Sequence, residues 1–216
     1  MKNPKEQTNK KLLIEIGLVL LTGAGKFLFM DYLNWRLLFI VCAITFWVLY
    51  VVFIQKKDKE ALHMWGFRTD NFWKVTGMVT PFGVIAIILF TLIGWYQNTL
   101  NFTWHLLPIL ILYPMWGIVQ QFLVIGIIAG NLQSMKTYKI PAFINIILTA
   151  ILFGLFHYPF WWLVTGTFFL ALFYGYIYLK QRNIYVLGIF HGWLGALFYY
   201  TVVGRDPFLE VFGKYF

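Results

Sequence analysis

Tyr113-Pro114-Met115-Trp116-Gly117-Ile118-Val119-Gln120-Gln121-Phe122-Leu123-Val124-Ile125-Gly126 is the stretch on which the reading of this chain turns. It lies within an apolar run over 104–130, long enough to cross a bilayer, and places two adjacent amides midway along it. A polar side chain in lipid is costly unless it faces a partner inside a bundle. On a helix Gln121 shares a face with Gly117 and Val124, while Gln120 sits over Trp116. Gly117, Gly126 and Gly130 would let neighbouring helices come close. Histidines recur in two later apolar runs, at His157 and His191. These positions predict one intramembrane polar cluster of Gln120, Gln121, His157 and His191.

Composition points the same way. The chain has 216 residues, of which 61% are hydrophobic, 21% aromatic and 12% charged. Soluble domains carry about 25% charged residues. Apolar runs of spanning length fall at 12–33, 35–54, 72–96, 104–130, 140–158, 161–180 and 184–203. The prediction is therefore an all-α, polytopic membrane bundle of about seven transmembrane helices, forming one domain over 1–216. The net charge of +9 lies between apolar runs, which is the pattern of a membrane protein and excludes nucleic acid as the expected partner. Cys42, the one cysteine, has no partner for an internal disulfide. Lys2, Lys5, Lys10 and Lys11 ahead of the first run resemble a signal peptide. No small-x-small cleavage site follows, so this run is expected to remain as the first helix. Glu15 and Lys26 interrupt it near its ends and are expected to snorkel to the interface. Gly130-Asn131 is expected to cap a helix, Tyr158-Pro159 to end one, and 55–74 to form a surface loop.

The basic residues predict an orientation. With the N-terminus inside, thirteen of the seventeen fall on inner segments, including Lys56, Lys57, Lys59, Lys136, Lys139, Lys180 and Arg182. Lys26, Arg36, Arg205 and Lys214 are the four outside. This bias predicts a cytoplasmic N-terminus in the cell (inner) membrane and, with seven spans, an external C-terminus.

Gly188, His191, Gly192 and Gly195 recur at i, i+3, i+4 and i+7, so one helix face is glycine plus a single imidazole. Such a face packs closely against another helix or lines a cavity. His157 shares its face with Ala150, Phe153 and Gly154. The simpler account of each histidine is a hydrogen bond to a buried carbonyl or a glutamine. Two histidines and two glutamines in three helices weigh against that account as the whole explanation.

The order of these motifs resembles the CPBP family of intramembrane proteases, which includes CAAX prenyl protease 2, the Abi abortive-infection proteins and lysostaphin-resistance-type proteins. That family carries Glu-Glu-x-x-x-Arg in one helix, Phe-x-x-x-His in the next and His-x-x-x-Asn/Asp in a later one. Here the second motif stands as Phe153-Gly154-Leu155-Phe156-His157, and the third begins at His191. Met64-Trp65-Gly66-Phe67-Arg68 is similar to the segment that often precedes the family's core. The resemblance covers about 66–203. It implies that the Glu-Glu pair falls on Gln120-Gln121, the arginine on Ile125 and the closing Asn/Asp on Gly195. In the family a glutamate and the first histidine activate water, and the second histidine with the asparagine steadies the oxyanion. A glutamine amide has no proton-accepting state of use to a general base, although it orients water and donates hydrogen bonds. His157 has the pKa of a base on its own.

No cofactor is expected. Two histidines without a neighbouring carboxylate or thiolate fall short of the three protein ligands of an open zinc site, so no metal is expected either. Asp206 and Glu210 would reach the bundle only if the tail folded back. Most aromatics, Trp47, Trp95, Trp104 and His105 among them, read as interface anchors or helix packing. Trp116, Phe153, Phe156 and Trp193 are the expected walls of a greasy substrate pocket around the polar positions.

Three functions fit these residues. The first is a diverged hydrolase of a membrane-embedded or lipid-modified peptide, with His157, His191, Gln120 and Gln121 as its site. The second is a catalytically inactive pseudoprotease that binds a hydrophobic peptide or membrane-protein partner as a scaffold or regulator. The third is a lipid- or isoprenoid-binding protein. Membrane lipid is a partner in all three.

Overall fold

The computed structural model of the chain describes residues 4–135 and 139–214, with side chains from residue 9 onward. Lys2, Lys136 and the Lys5 side chain, which enter the orientation argument, lie outside the described residues. The described residues form helices and no strand: α1 Pro4–Lys26, α2 Arg36–Lys57, α3 Ala61–Trp65, α4 Phe72–Gln97, α5 Leu106–Gln121, α6 Gly130–Ser134, α7 Ala142–Leu155, α8 Trp161–Gln181, α9 Ile184–Phe198 and α10 Pro207–Phe212. Three segments wind more widely, as π-helix: Phe27–Tyr32 after α1, Phe122–Ala129 between α5 and α6, and Tyr199–Val203 after α9.

Among the described residues, six helical segments are long and apolar enough to cross a membrane: Asn9–Tyr32, Arg36–Lys57, Phe72–Gln97, Leu106–Ser134, Trp161–Gln181 and Ile184–Val203. Their outward side chains are large and apolar, as at Leu49, Ile85, Ile111 and Phe169. That is a surface suited to lipid rather than water. The run at 140–158 yields only α7, 14 residues, or about 21 Å. The chain enters it from Pro141 and leaves it at Phe156, in a turn ahead of Pro159.

The chain divides into two compact units, Met1–Phe67 with Phe122–Arg182, and Arg68–Gln121 with Asn183–Phe216. In the first, the Phe122 ring meets Trp65 and Phe67 at centroid distances of 5.3 and 5.2 Å, and Trp47 at 6.1 Å. α7 and α8 pack where Gly154 faces the Val164 backbone and Gly175 faces Ile146.

Several local expectations change in this unit. Glu15 does not snorkel: it is buried, accepting from the Tyr50 hydroxyl at 2.5 Å and from Asn131 Nδ2 at 2.7 Å. Asn131 does not cap a helix. It sits inside α6 and also donates to the Leu12 carbonyl, so the side chain that reads as a terminator is a tether. Trp47 is not an interface anchor, being buried with its Nε1–H donated to Thr22 Oγ1 at 3.2 Å. The 55–74 loop contains α3, whose Ala61 and Trp65 are buried.

In the second unit, Phe90 meets Phe198 edge-on at 4.8 Å. Asn183 starts α9 by accepting from the Val186 N–H while its Nδ2 donates to the Arg68 carbonyl and Asn71 Oδ1. The side-chain acceptor satisfies one of the orphan N–H groups at a helix start. Ile109, Ala196 and Tyr200 form the buried centre of the far end. The tail does fold back there. Asp206 Oδ2 accepts from Thr103 Oγ1 at 2.8 Å and His105 Nδ1 at 2.7 Å, and Oδ1 accepts from the Tyr200 hydroxyl at 2.9 Å and the Phe208 N–H at 3.0 Å. His105 is thus a tether for the tail, its ring stacked on Phe208 at 4.6 Å.

Candidate functional site

Three of the four polar residues expected to cluster, Gln120, Gln121 and His191, belong to the second unit; His157 belongs to the first. In the second unit α5 and α9 lie backbone to backbone. A Cβ on Gly117 would collide with the Gly188 carbonyl, one on Gly188 with the Ile118 backbone, and one on Gly192 with the Pro114 backbone. The glycine face of α9 is therefore spent on approaching α5. Gly195, the last of that face, would meet only the Tyr113 ring, at 3.9 Å.

This approach carries the imidazole to the amide. His191 Nε2–H donates to Gln120 Oε1 at 3.0 Å. Because the amide oxygen accepts, the ring carries its proton on Nε2, and its basic position in the neutral form is Nδ1. Gln121, one residue on, points into the interior: it is fully buried, and neither amide atom has a hydrogen-bond partner among the described residues. An unsatisfied buried amide costs about 1–3 kcal/mol. Directly after it the helix opens into the wide Phe122–Ala129 stretch, every residue of which is buried. Such widenings of a helix occur frequently at functional positions.

The two expected pocket walls in this unit differ. Trp116 is half-buried. Trp193 is exposed and donates Nε1–H to the Leu110 carbonyl at 3.0 Å, another clasp between α9 and α5.

In the first unit, His157 follows the end of α7. Its Nδ1 lies 2.8 Å from the Phe153 carbonyl, to which it donates. The remaining nitrogen, Nε2, is then the acceptor of a neutral ring. The Phe153 ring stands edge-on to the imidazole at 4.9 Å and is fully buried. Phe156 is half-buried and covers Gly23 of α1 so closely that any Cβ there would run into its ring.

The carboxylates of the second unit are engaged elsewhere. Asp70 pairs with Arg68, Glu210 with Arg205 at 2.5 Å, and Asp206 takes the four donors named above. Burial pushes the Asp206 carboxyl up, but the bonds from His105, Thr103, Tyr200 and the Leu209 N–H outweigh it and hold it below the usual carboxylate range. Among the described residues no three His, Cys, Asp or Glu side chains come together as a metal set.

Sequence reasoning missed the Glu15, Tyr50 and Asn131 cluster and the His105 and Asp206 pair. The signal for the first was present: an ionisable residue inside a spanning run is by default a candidate for function. Nothing in the spacing of His105 and Asp206 announces their meeting across a hundred residues.

Residues 101–197 match the family described as Type II CAAX prenyl endopeptidase Rce1-like. The matched stretch is a little under half of the chain and contains Gln120, Gln121, His157 and His191. No curated protein and no solved structure matches the chain.

Proposed function

We propose, from the similarity of residues 101–197 to the Rce1-like CAAX prenyl endopeptidases, that this CAAX-protease-like membrane protein binds a membrane-embedded or lipid-modified peptide without cutting it by the carboxylate-and-histidine route. The observation that carries this reading is the hydrogen bond from His191 Nε2–H to Gln120 Oε1. An amide in that position orients and binds but accepts no proton at neutral pH, so no water beside it is activated by that side chain. The other acidic groups of the same unit are already paired. Gln121, buried with both amide atoms unsatisfied, would gain a donor and an acceptor from a peptide backbone lodged beside it. This chemistry suits retention of a peptide better than turnover.

One observation favours hydrolysis as a second reading. The His157 Nδ1–H bond to Phe153 leaves Nε2 as the ring's proton acceptor, which is the state a general base needs. Full-length protein in proteoliposomes, given a farnesylated peptide ending in a CAAX sequence, separates the two. Binding without release of the C-terminal tripeptide, weakened by His191→Ala, is the expected result. Tripeptide release that is lost in both His157→Ala and His191→Ala would replace the binding reading with the hydrolase.

A further inference from the structure

The contact between α5 and α9 lacks interlocking side chains along its centre. Gly117, Gly188 and Gly192 bring the two backbones together. A line of glycines fixes how near two helices lie, but offers no ridges and grooves to fix their rotation. Directional bonds then set the rotation, and α9 carries one on each flank. Gly192 faces the Pro114 backbone, and its sequence neighbours His191 and Trp193 project about 100° to either side of it on a helix. His191 Nε2–H donates to Gln120 Oε1 at 3.0 Å, and Trp193 Nε1–H donates to the Leu110 carbonyl at 3.0 Å. Turning α9 either way about its axis draws one of these bonds apart.

The acceptor that Trp193 finds is made by the sequence of α5. Pro114 lies inside that helix. It has no N–H, and so leaves the carbonyl four residues earlier, that of Leu110, without its regular donor. Within a bilayer no water takes the donor's place; the indole N–H does. Trp193 is 43% exposed, so burial does not hold its ring. This bond and the Phe190 ring, 5.8 Å away, do. We propose that Trp193 is the positioning residue of the His191–Gln120 pair: by taking the carbonyl that Pro114 frees, it sets the rotation of α9 at which the imidazole meets the amide. Its consequence for peptide binding rests on the function proposed above; the geometry of the pair does not.

Nitrogen NMR of the full chain in nanodiscs, with isotope-labelled histidine, reads the pair directly, the His191 signals being those lost in His191→Ala. The native chain should show a protonated, hydrogen-bonded Nε2. Trp193→Phe keeps a ring and removes the N–H, and this signal should be lost. Pro114→Ala added to Trp193→Phe returns a helix donor to the Leu110 carbonyl. Were satisfying that carbonyl the whole role of Trp193, the double variant would regain both the unfolding midpoint in detergent and the histidine signal. The expected result is a restored midpoint with the signal still lost; should Trp193→Phe alone fail to fold, the double variant decides. Retention of the farnesylated CAAX peptide should fall about threefold or more in both variants, the factor that matches an interhelical bond of average strength. A native chain that binds no peptide counts against the proposed function and leaves the histidine signal to decide the role of Trp193. A signal unchanged in Trp193→Phe, or regained in the double variant, overturns the proposal, as does peptide retention at the native level once the signal is lost.

Discussion

At the scale of single residues, the decisive contact is His191 with Gln120. Interhelical side-chain bonds in membrane bundles contribute about 0.6 kcal/mol on average and up to about 1.7 kcal/mol. A double-mutant cycle on His191→Ala and Gln120→Ala, read by denaturant unfolding in detergent, is expected to give a coupling in that range; no coupling would mean the two groups do not meet. The Glu15 cluster should be costlier to open. Asn131→Ala takes a 2.7 Å donor from a buried carboxylate, and a loss of about 1–3 kcal/mol is expected. Asp206 sets a pH dependence outside the spanning segments. Its folded carboxyl is held below the ordinary value of about 3.9. Its contribution is therefore complete above that value and disappears as pH falls through the lower, folded one. Hydrogen exchange at Phe208 and Leu209, whose N–H groups it accepts, should stay protected from neutral pH down to mild acid and open only below it. In Asp206→Asn the protection should weaken at every pH.

At the scale of elements, α5 and α9 are held by the absence of side chains. Gly188→Ala and Gly192→Ala each push a methyl into the backbone of α5, and crowding of this kind costs typically about 1–3 kcal/mol. Both substitutions should lower the unfolding midpoint in detergent and weaken the His191 contact with it. Gly195→Ala, facing only a ring at 3.9 Å, should be tolerated. Gly77→Ala on α4 has nothing within 4 Å and should stabilise by up to about 1 kcal/mol through helix propensity. The pattern of these four distinguishes close packing from a general dislike of alanine. The repeat Gly188, His191, Gly192, Gly195 was legible because helical periodicity puts those residues on one face whatever lies opposite. What lay opposite was not legible, since many helices present small residues and only docking selects Gly117 and Pro114 as the partners.

At the scale of the whole molecule, α7 decides a parity. Among the described residues six segments are long enough to span, and α7, 14 residues, is shorter. The proposed orientation, with seven crossings and a cytoplasmic N-terminus, places the two chain ends on opposite sides of the membrane. Reporter fusions at each end should report opposite sides; the same side for both would mean that 142–155 does not cross. The sequence by itself determined the helical membrane class, the approximate positions of the spans and the glycine face of α9. These follow from hydrophobicity and periodicity, which are local properties written residue by residue. It also singled out candidate site residues, because amides and imidazoles are rare in lipid and stand out. Only the tertiary structure decided which of them bond. Glu15 reads from its position near a helix end as a snorkelling residue, yet Tyr50 and Asn131, from segments far along the chain, hold it inside. His105 reads as an anchor, yet the returning tail brings Asp206 to it. A hydrogen bond needs its partners within about 3 Å, and that proximity is set by packing between distant segments rather than by spacing along the chain.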